Sequence, residues 1–278
     1  MLRIFVISFL VLGLSAWGKY PPKIEEAKVE TYREVGKLEL KVWILGEKEE
    51  NRPKPGVVLF FGGGWRFGSP DSLLNHARFL VQKGMVCVLA DYRVANRHGT
   101  TIADCVADAK AALSWTRNNA SRLGIDSEKI AAGGASAGGH LAACLALVDG
   151  YGRAKKPDAL LLFNPALVLA PFEGQTFGYQ KPIREEFAGV EPRVLSPIHH
   201  LDGELPPTWI AHGQRDRVVP IATVRAFRDE AKGGGRSCEL LEVSNVGHAF
   251  HYNNPWFLHV MTGAESFLEK LGWLNESE

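Results

Sequence analysis

Ser136 lies in a segment whose residue types suit nucleophilic chemistry. It is the central residue of a G-x-S-x-G pattern that follows the apolar run 130–132 and precedes a stretch of small apolar residues at 141–148. A serine hydroxyl is a weak nucleophile at neutral pH, so it must be exposed on a sharp turn where a base can reach it. The pattern alone also arises by chance, but its context predicts a strand, a tight turn and a helix that present Ser136 to a carbonyl carbon.

A glycine triplet upstream has a complementary chemistry. The apolar run 57–61 leads into Gly62, Gly63 and Gly64. Glycines allow backbone N–H groups to approach a substrate oxygen that bulkier residues would block. We expect the N–H groups of Gly62, Gly63 and Ala137 to form an oxyanion hole, which would stabilise the negative charge of a tetrahedral intermediate. The segment contains neither G-K-[ST] nor G-x-G-x-x-G, which argues against a nucleotide-binding loop.

Asp216 and His248 follow two later strands and, together with Ser136, could carry out proton transfer. Asp216 follows the strand pattern that ends at 212, and His248 follows the strand pattern 240–243. Histidine changes protonation near neutral pH, so His248 can take the serine proton and return it to a leaving group. A carboxylate such as Asp216 can orient that imidazole and stabilise its protonated form. We therefore expect Ser136, His248 and Asp216 to act as nucleophile, general base and orienting acid.

Other acids and histidines remain alternatives to these assignments. Asp202 and Asp91 are the other candidate acids, and His251 is the other candidate base. His140 follows Ser136 on the same predicted helix and is expected to pack there. The remaining histidines, His199 and His200 among them, are expected at the surface or in structural roles.

The chain order of the three residues is the one described for α/β-hydrolases. Five segments also match signatures of esterases with this fold: Gly62 to Trp65, Asp91 to Arg93, Gly134 to Gly139, His212 to Pro220 and Gly247 to Phe250. On these residues the chain resembles the hormone-sensitive-lipase-like, acetyl-esterase and feruloyl-esterase-like groups, over residues 55–272. One position departs from the signatures, since Phe61 stands where the relatives carry a histidine. Because the expected oxyanion donors are backbone groups, this change should affect how the loop is held rather than its donors.

The resemblance implies a serine carboxylic ester hydrolase that works through an acyl-enzyme and needs no cofactor. It further implies a preference for short acyl esters, acetyl esters above all. The substrate partner would be a small molecule or an acetylated plant polysaccharide such as xylan. A feruloyl or aryl esterase and a serine peptidase of the prolyl-oligopeptidase-like kind are alternatives with the same chemistry, and a non-catalytic binding protein on the same fold is another.

Alternating strand and helix patterns predict the elements that position these residues. We predict an opening hairpin over Lys28 to Val35 and Leu38 to Leu45, followed by a doubly wound, mostly parallel sheet of the α/β class. In such sheets ligands bind at the carboxyl ends of the strands, where the loops with Ser136, Asp216 and His248 are expected. The predicted strands are 57–61, 85–90, 129–133, 158–163, 207–212 and 239–243, and the predicted helices are 71–83, 104–122, 137–148, 220–231 and 256–271.

The strand and helix alternation lapses between Asn164 and Pro206. This segment is too short for a large cap domain, and we expect a small lid or one wall of the substrate pocket. A solvated connection is the alternative. Phe187 of this segment and Trp65 of the glycine-rich loop are the expected substrate contacts.

The composition predicts one globular domain without a nucleic-acid partner. The chain has 278 residues, of which 46% are hydrophobic, and a formal net charge of +1. Nucleic-acid-binding domains usually carry a basic surface, which this balance does not provide. The cysteines have no metal-site spacing and are expected as free buried thiols or, alternatively, as disulfide pairs. They are Cys87, Cys105, Cys144 and Cys238.

The first 18 residues have the regions of a secretory signal peptide. Arg3 is basic, residues 4–14 are apolar, and residues 15–18 place small residues before the expected cleavage site after Gly18. We therefore expect a catalytic domain over 19–278 and a secreted or periplasmic protein without stable membrane insertion. An uncleaved anchor is the alternative, although the apolar run is short for a membrane span.

Overall fold

An eight-stranded sheet runs through the centre of the structure. The computed structural model describes residues 20–46, 48–49, 52–177 and 188–275, so the predicted signal peptide lies outside the described residues. The strand order across the sheet is β1-β2-β4-β3-β5-β6-β7-β8. The strands are β1 Lys28–Val35, β2 Leu38–Leu45, β3 Lys54–Phe60, β4 Val86–Ala90, β5 Ile125–Ala135, β6 Ala159–Phe163, β7 Thr208–Gly213 and β8 Cys238–Val243.

Strand direction changes at one edge of this sheet. β2 pairs in antiparallel fashion with β1 and with β4, whereas all neighbours from β4 to β8 are parallel. β4 lies on one side of β3 and β5 on the other, so the strand order reverses at β3. A crevice forms at such a reversal because the two connections leave in opposite directions. The turns after β3 and β5 contain Gly62 and Ser136, which therefore meet at this crevice.

Helices cover both faces of the sheet. They are α1 Leu74–Gln82, α2 Ala95–His98, α3 Ile102–Asn118, α4 Ala120–Leu123, α5 Ala137–Leu147, α6 Ile221–Gly233 and α7 Trp256–Lys270. Buried side chains of α3, α5 and α6 form a core on one face, and those of α1 and α7 form a core on the other. None of the helices among the described residues is both long enough and apolar enough to cross a membrane.

The residues of β3 show why both faces must be covered. Val58 and Phe60 pack into the core with α5, whereas Val57 and Leu59 pack into the core with α1. Successive side chains of a strand point to opposite faces, so a continuous apolar run buries its residues only between two layers. The apolar run therefore specifies a central strand rather than an edge strand.

This architecture confirms the predicted fold class, a doubly wound, mostly parallel α/β sheet, and the described residues contain no large cap domain. The opening hairpin is found at the predicted residues, and the six later strands differ from the predicted ones mainly at their ends. The predicted helix 104–122 is instead two helices. A capping box between Thr101 and Asp104 starts α3 earlier, and the Asn119 side chain donates to the carbonyl of Trp115 (2.8 Å) where α3 ends.

The described parts of the segment between Asn164 and Pro206 contain little regular structure. Two 3₁₀ turns, Pro192–Leu195 and Pro197–His200, precede β7. Leu167, Leu195 and Ile198 are buried in the core that contains α5. These residues therefore pack onto the domain, whereas residues 173–176 and 202–204 are exposed, so the lid or pocket-wall role of the segment stays a prediction.

The cysteines are buried thiols without disulfide partners. Burial raises the pKa of each thiol, that of Cys238 to about 12. A thiol that stays protonated reacts slowly, because the thiolate is the reactive form.

His140 of α5 should make the fold sensitive to acid. It is fully buried, accepts a hydrogen bond from the indole N–H of Trp65 (3.2 Å), and donates from Nε2 to the carbonyl of Leu195 (2.7 Å). Burial lowers the pKa of His140 to about 4, whereas a histidine in an unfolded chain has a pKa of about 6.5. Between these values the unfolded chain binds a proton that the folded chain does not, so the free energy of unfolding falls as the pH falls.

We expect the depressed His140 pKa to lower the free energy of unfolding by about 2 kcal/mol between pH 7.5 and pH 5. Urea unfolding followed by tryptophan fluorescence at both pH values measures this loss. His140→Gln keeps a donor and an acceptor at the site, so its pH dependence should be smaller by that amount. His259→Gln, at an exposed helix position, serves as the control. Equal pH dependence in the wild type and His140→Gln would contradict the prediction.

Candidate active site

Ser136 lies on a strained turn between β5 and α5. Its φ and ψ are 53° and −114°, a region that non-glycine residues adopt only where the surrounding structure imposes it. The Ser136 N–H donates to the carbonyl of Phe163 on β6 (2.9 Å), and the Ser136 carbonyl accepts from the N–H of His140 (3.0 Å). These two hydrogen bonds hold the turn in its strained conformation.

The glycines on either side of Ser136 permit the close packing of this turn. A Cβ atom at Gly138 would lie 1.9 Å from the carbonyl oxygen of Phe60, and one at Gly134 would lie 2.5 Å from the same oxygen. Backbone atoms of β3 thus occupy the space that any side chain would need. The approach of β3, β5 and α5 around the nucleophile requires glycine at both positions.

Gly138→Ala should therefore destabilise the protein by about 3 kcal/mol or more, because the backbone around Ser136 has to move to admit a methyl group. Urea unfolding at neutral pH measures the change. Gly233→Ala is the matched control, since a Cβ atom there would meet nothing within 4 Å. The control should change stability by no more than about 1 kcal/mol. Equal stability of the two variants would show that the turn can relax around a side chain.

Ser136, His248 and Asp216 form a continuous set of hydrogen bonds, called here the relay. His248 Nε2 is 3.0 Å from Ser136 Oγ, and His248 Nδ1 is 2.7 Å from Asp216 Oδ2. The Asp216 side chain is fully buried, whereas that of His248 is 21% exposed. Since a carboxylate can only accept, His248 Nδ1 carries the proton and Nε2 offers its lone pair to the serine hydroxyl. The structure thus brings the three predicted residues together in the order that proton transfer requires.

Asp216 is held by donors on both of its oxygen atoms. Oδ1 accepts from the N–H groups of Val218 (2.8 Å) and Val219 (2.9 Å). Oδ2 accepts from His248. Nε2 of the buried His212 donates to the carbonyl of Val219 (2.9 Å) and lies 3.3 Å from Oδ2. Burial alone would raise the pKa of the Asp216 carboxyl, but the imidazole groups of His212 and His248 and the N–H group of Val219 hold it well below its usual range. The carboxylate therefore stays ionised at neutral pH.

The glycine-rich loop after β3 borders the Ser136 turn. A Cβ atom at Gly62 would lie 3.4 Å from Cβ of Ser136, so the Gly62 backbone lies beside the nucleophile. Ala137 is the first residue of α5, where backbone N–H groups have no acceptor within the helix. In the described part of the chain, no turn or loop hydrogen bond uses the N–H groups of Gly62, Gly63 or Ala137. These groups are therefore available to a substrate oxygen.

Phe61 and Tyr92 hold the glycine-rich loop. Their rings stack with centroids 4.1 Å apart and an interplanar angle of 15°, and the Tyr92 hydroxyl donates to the Phe61 carbonyl (2.8 Å). The next residue, Arg93, is fixed by Asp108, which accepts two hydrogen bonds from its guanidinium (2.8 and 3.0 Å) and one from its backbone N–H (3.0 Å). Phe61 thus takes part in the support of the loop through packing, and its side chain supplies no donor.

Trp65, one of the two predicted substrate contacts, lies in the core that contains α5. Trp65 is 5% exposed, and its indole packs edge-on against His140 with centroids 5.1 Å apart. Its only polar side-chain atom donates to His140, so substrate contact by Trp65 stays a prediction. Phe187 lies outside the described residues.

The alternative acids lie apart from the relay. Asp91 is buried and accepts a hydrogen bond from Tyr20, and burial raises its pKa to about 6. Asp202 is exposed and lines a surface cavity together with residues 155–158 and 234–237. Those residues precede β6 and β8, so Asp202 lies at the end of the sheet opposite Ser136.

The alternative histidines also have other partners. His251 is buried and its Nδ1 is 2.9 Å from Nε2 of the buried His76. Nε2 of His199 lies 3.0 Å from the carbonyl oxygen of Pro171, and Nε2 of His200 lies 2.9 Å from that of Val194. Within the described residues, these contacts leave His248 as the histidine that reaches Ser136.

Sequence reasoning assigned no role to two side chains that touch the relay. His212 lies near the end of β7, four residues before Asp216, and its imidazole reaches the Asp216 carboxylate. Asn164, the first residue after β6, places Nδ2 3.5 Å from His248 Nε2. Each is a polar residue at the carboxyl end of an apolar central strand. In a parallel α/β sheet that position alone indicates a possible site residue. In the described part of the chain, no three histidine, cysteine or carboxylate groups are placed to hold a metal ion.

Comparison with known proteins places this site among esterases. A family described by its alpha/beta hydrolase fold matches residues 57–252. The structure of the thermophilic esterase Est2 from Thermogutta terrifontis is 37% identical, covers 93% of this chain and 97% of its own, and superposes with a TM-score of 0.85. The propionate-bound structure of the same protein is 36% identical with a TM-score of 0.87, and covers 94% of this chain and 100% of its own.

The curated relatives of this chain are also esterases or ester hydrolases. The esterase LipC of Mycobacterium tuberculosis is 31% identical over 233 residues, which are 76% of this chain and 56% of LipC. Two further esterases or ester hydrolases are likewise longer than this chain, which spans only 54% to 60% of the three. Residues 57–252, which the α/β-hydrolase family matches, include the glycine-rich loop, the Ser136 turn and the relay.

Proposed function

Because this chain belongs to the α/β-hydrolase family, among the esterases of its hormone-sensitive-lipase-like group, we propose that it is a serine carboxylic ester hydrolase. The observation that carries the proposal is the relay, with its distances of 3.0 Å and 2.7 Å. The free N–H groups of the neighbouring glycine-rich loop support it. Together they supply a nucleophile, a base with an ionised partner, and donors for a developing oxyanion.

In the proposed first half-reaction, Ser136 Oγ attacks the ester carbonyl carbon while His248 Nε2 takes the hydroxyl proton. The carbonyl oxygen becomes negatively charged and binds to the N–H groups of Gly62, Gly63 and Ala137, while Asp216 stabilises the protonated imidazole. The bond between the carbonyl carbon and the alcohol oxygen then breaks, and His248 donates its proton to the departing alcohol. The acyl group remains on Ser136 until water hydrolyses it.

We propose short acyl esters, acetyl esters in particular, as the substrates. The propionate-bound and butyrate-bound structures of Est2 support this range, because both ligands are short carboxylates. A cavity of about 500 Å³ between the segment after β6 and α6 supports a polysaccharide as the alcohol part. It is lined on one side by Phe172, Phe177, Glu173 and Gln175 and on the other by Ala222, Arg225, Ala226, Asp229 and Glu230. Aromatic rings with nearby amide and charged groups are suited to sugar rings and hydroxyls.

The test compares ester classes on one enzyme preparation. Rates are measured on p-nitrophenyl esters from acetate to octanoate, on acetylated xylan by acetate release, on feruloyl esters, and on a prolyl peptide substrate. The proposal expects the highest kcat/KM on acetate to butyrate esters and Ser136-dependent acetate release from xylan. Activity confined to the aryl esters would overturn the polysaccharide part, and peptide cleavage without ester hydrolysis would overturn the whole.

We further propose that the segment 1–18 directs export and is removed. The supporting feature is its basic, apolar and small-residue organisation. Expression of the full chain in a secreting host, followed by amino-terminal sequencing, should give a protein that begins at Lys19. Retention of Met1 on the exported or membrane-bound protein would contradict cleavage.

A further inference from the structure

Asn164 has a backbone fixed directly against the nucleophile. Its N–H donates to the carbonyl of Ala211 on β7 (2.8 Å), and its neighbour Phe163 accepts from the N–H of Ser136 (2.9 Å). Its φ is +38°, a conformation that asparagine adopts more readily than most other side-chain-bearing residues. The position of its side chain relative to Ser136 is therefore set by the sheet and not by a flexible loop.

The Asn164 side chain is buried with one atom unpaired. The residue is 1% exposed, and its Nδ2 lies 3.5 Å from His248 Nε2, at the outer limit of a hydrogen bond. Its Oδ1 is buried and has no hydrogen-bond partner. Burying an amide oxygen without a donor costs free energy, so such an atom in a native site calls for a partner during the reaction.

In the second half-reaction a water molecule can donate a hydrogen bond to Asn164 Oδ1. Once Ser136 Oγ carries the acyl group, it has no proton to donate, and His248 Nε2 becomes free to accept from water. Oδ1 and Nδ2 of Asn164 belong to one planar amide, so Oδ1 neighbours the atom that contacts Nε2. A turn of this buried amide exposes Oδ1 on the side of Nε2, where one water molecule can join the two acceptors. Such a water donates one proton to each and directs an oxygen lone pair away from both.

We propose that Asn164 Oδ1 and His248 Nε2 together hold the water that hydrolyses the acyl-enzyme, an inference that rests on the proposed function. The water oxygen forms a bond to the acyl carbon, and its proton passes to His248 Nε2. The bond between the acyl carbon and Ser136 Oγ then breaks, and His248 returns the proton to Ser136 Oγ. The carboxylic acid leaves with the water oxygen, and Asn164 itself exchanges no proton.

The test separates the two half-reactions. Asn164→Leu removes the acceptor at similar volume, Asn164→Gly removes it while tolerating the positive φ, and Asn164→Asp keeps an acceptor oxygen. With p-nitrophenyl acetate, the Leu and Gly variants should release a burst of p-nitrophenol equal to the enzyme concentration and then turn over about 10- to 100-fold more slowly than the wild type. Their kcat/KM, which reports acylation, should stay within about threefold. Intact-protein mass spectrometry should show the acetylated enzyme.

The Asp variant is the conservative control and should deacylate faster than the Leu and Gly variants. If Asn164→Leu does not fold, Asn164→Gly decides the outcome alone. Equal losses in kcat and kcat/KM without an acetylated species, or unchanged kinetics, would overturn the proposal and leave Asn164 a structural residue.

Labelling by a fluorophosphonate probe keeps this outcome distinct from failure of the proposed function. The probe reacts with an activated serine and requires no hydrolytic water. Labelling of the wild type and of the Asn164 variants at Ser136 shows that the relay is intact. Absence of labelling and of ester turnover in the wild type would instead refute the esterase assignment.

Discussion

Ser136→Ala should lower kcat on p-nitrophenyl acetate by about a millionfold, to the limit of detection. Ser136 Oγ is the proposed nucleophile, and the substitution removes the atom that lies 3.0 Å from His248 Nε2. In triads that act as a unit, loss of the serine costs about this factor. Alanine keeps the Cβ atom and the backbone of the turn, so the free energy of unfolding should change by no more than about 1 kcal/mol.

The measurement combines initial rates, fluorophosphonate labelling and urea unfolding on the same preparations. Ser121→Ala, at an exposed position of α4, is the control and should retain full activity and labelling. Turnover by Ser136→Ala within a hundredfold of the wild type would mean that another group attacks the ester. A large loss of stability would mean that the hydroxyl has a structural role.

Asp216→Asn should lower kcat by about 10⁴-fold while the protein stays folded. All four described contacts of the carboxylate are with donors, on Val218, Val219, His212 and His248. An amide offers one acceptor atom and one donor atom, so its NH₂ group must face either the backbone N–H groups or the imidazoles. Facing His248, it favours the tautomer with the proton on Nε2, which cannot accept the proton of Ser136. A carboxylate-to-amide change at this place in a serine protease triad has an effect of this size.

Rates across pH 5 to 9 test the Asp216 prediction. Asp202, one of the two alternative acids, provides the matched control: Asp202→Asn should be indistinguishable from the wild type, because Asp202 lies at the opposite end of the sheet. Loss of activity in Asp202→Asn with activity kept in Asp216→Asn would reverse the assignment of the acid. Thermal melting monitors whether the buried amide costs stability.

The sequence was sufficient to predict the sheet because its central strands are continuous apolar runs. β4 and β6 are buried at every position, and no other element type fits short runs of this kind between helical patterns. Chain order likewise predicted the residues of the relay, since parallel strands bring their carboxyl ends to one edge. Ser136, Asp216 and His248 each follow a strand at that edge.

Asn164 and His212 show the limit of this reasoning. Asn164 meets His248 across 84 positions of the chain, and its effect depends on which atom of the amide is unpaired. His212 was visible in a matched signature, but its ring could equally have packed in the core, as those of His76 and His140 do. Both contacts depend on side-chain directions that hydrophobic periodicity does not contain. The Trp65 indole is a similar case, because its buried partner His140 could not be inferred from a motif.

The four buried cysteines can report local and global unfolding of the protein. Because Cys87, Cys105, Cys144 and Cys238 are enclosed and protonated in the native state, an alkylating reagent can modify them only in molecules that have lost local or global structure. The rate of alkylation thus counts unfolding events without an added dye or label. It also follows that a change between oxidising and reducing surroundings has no cross-link to form or cleave in the folded chain, so we expect the proposed ester hydrolysis to be unaffected by the redox state of the medium.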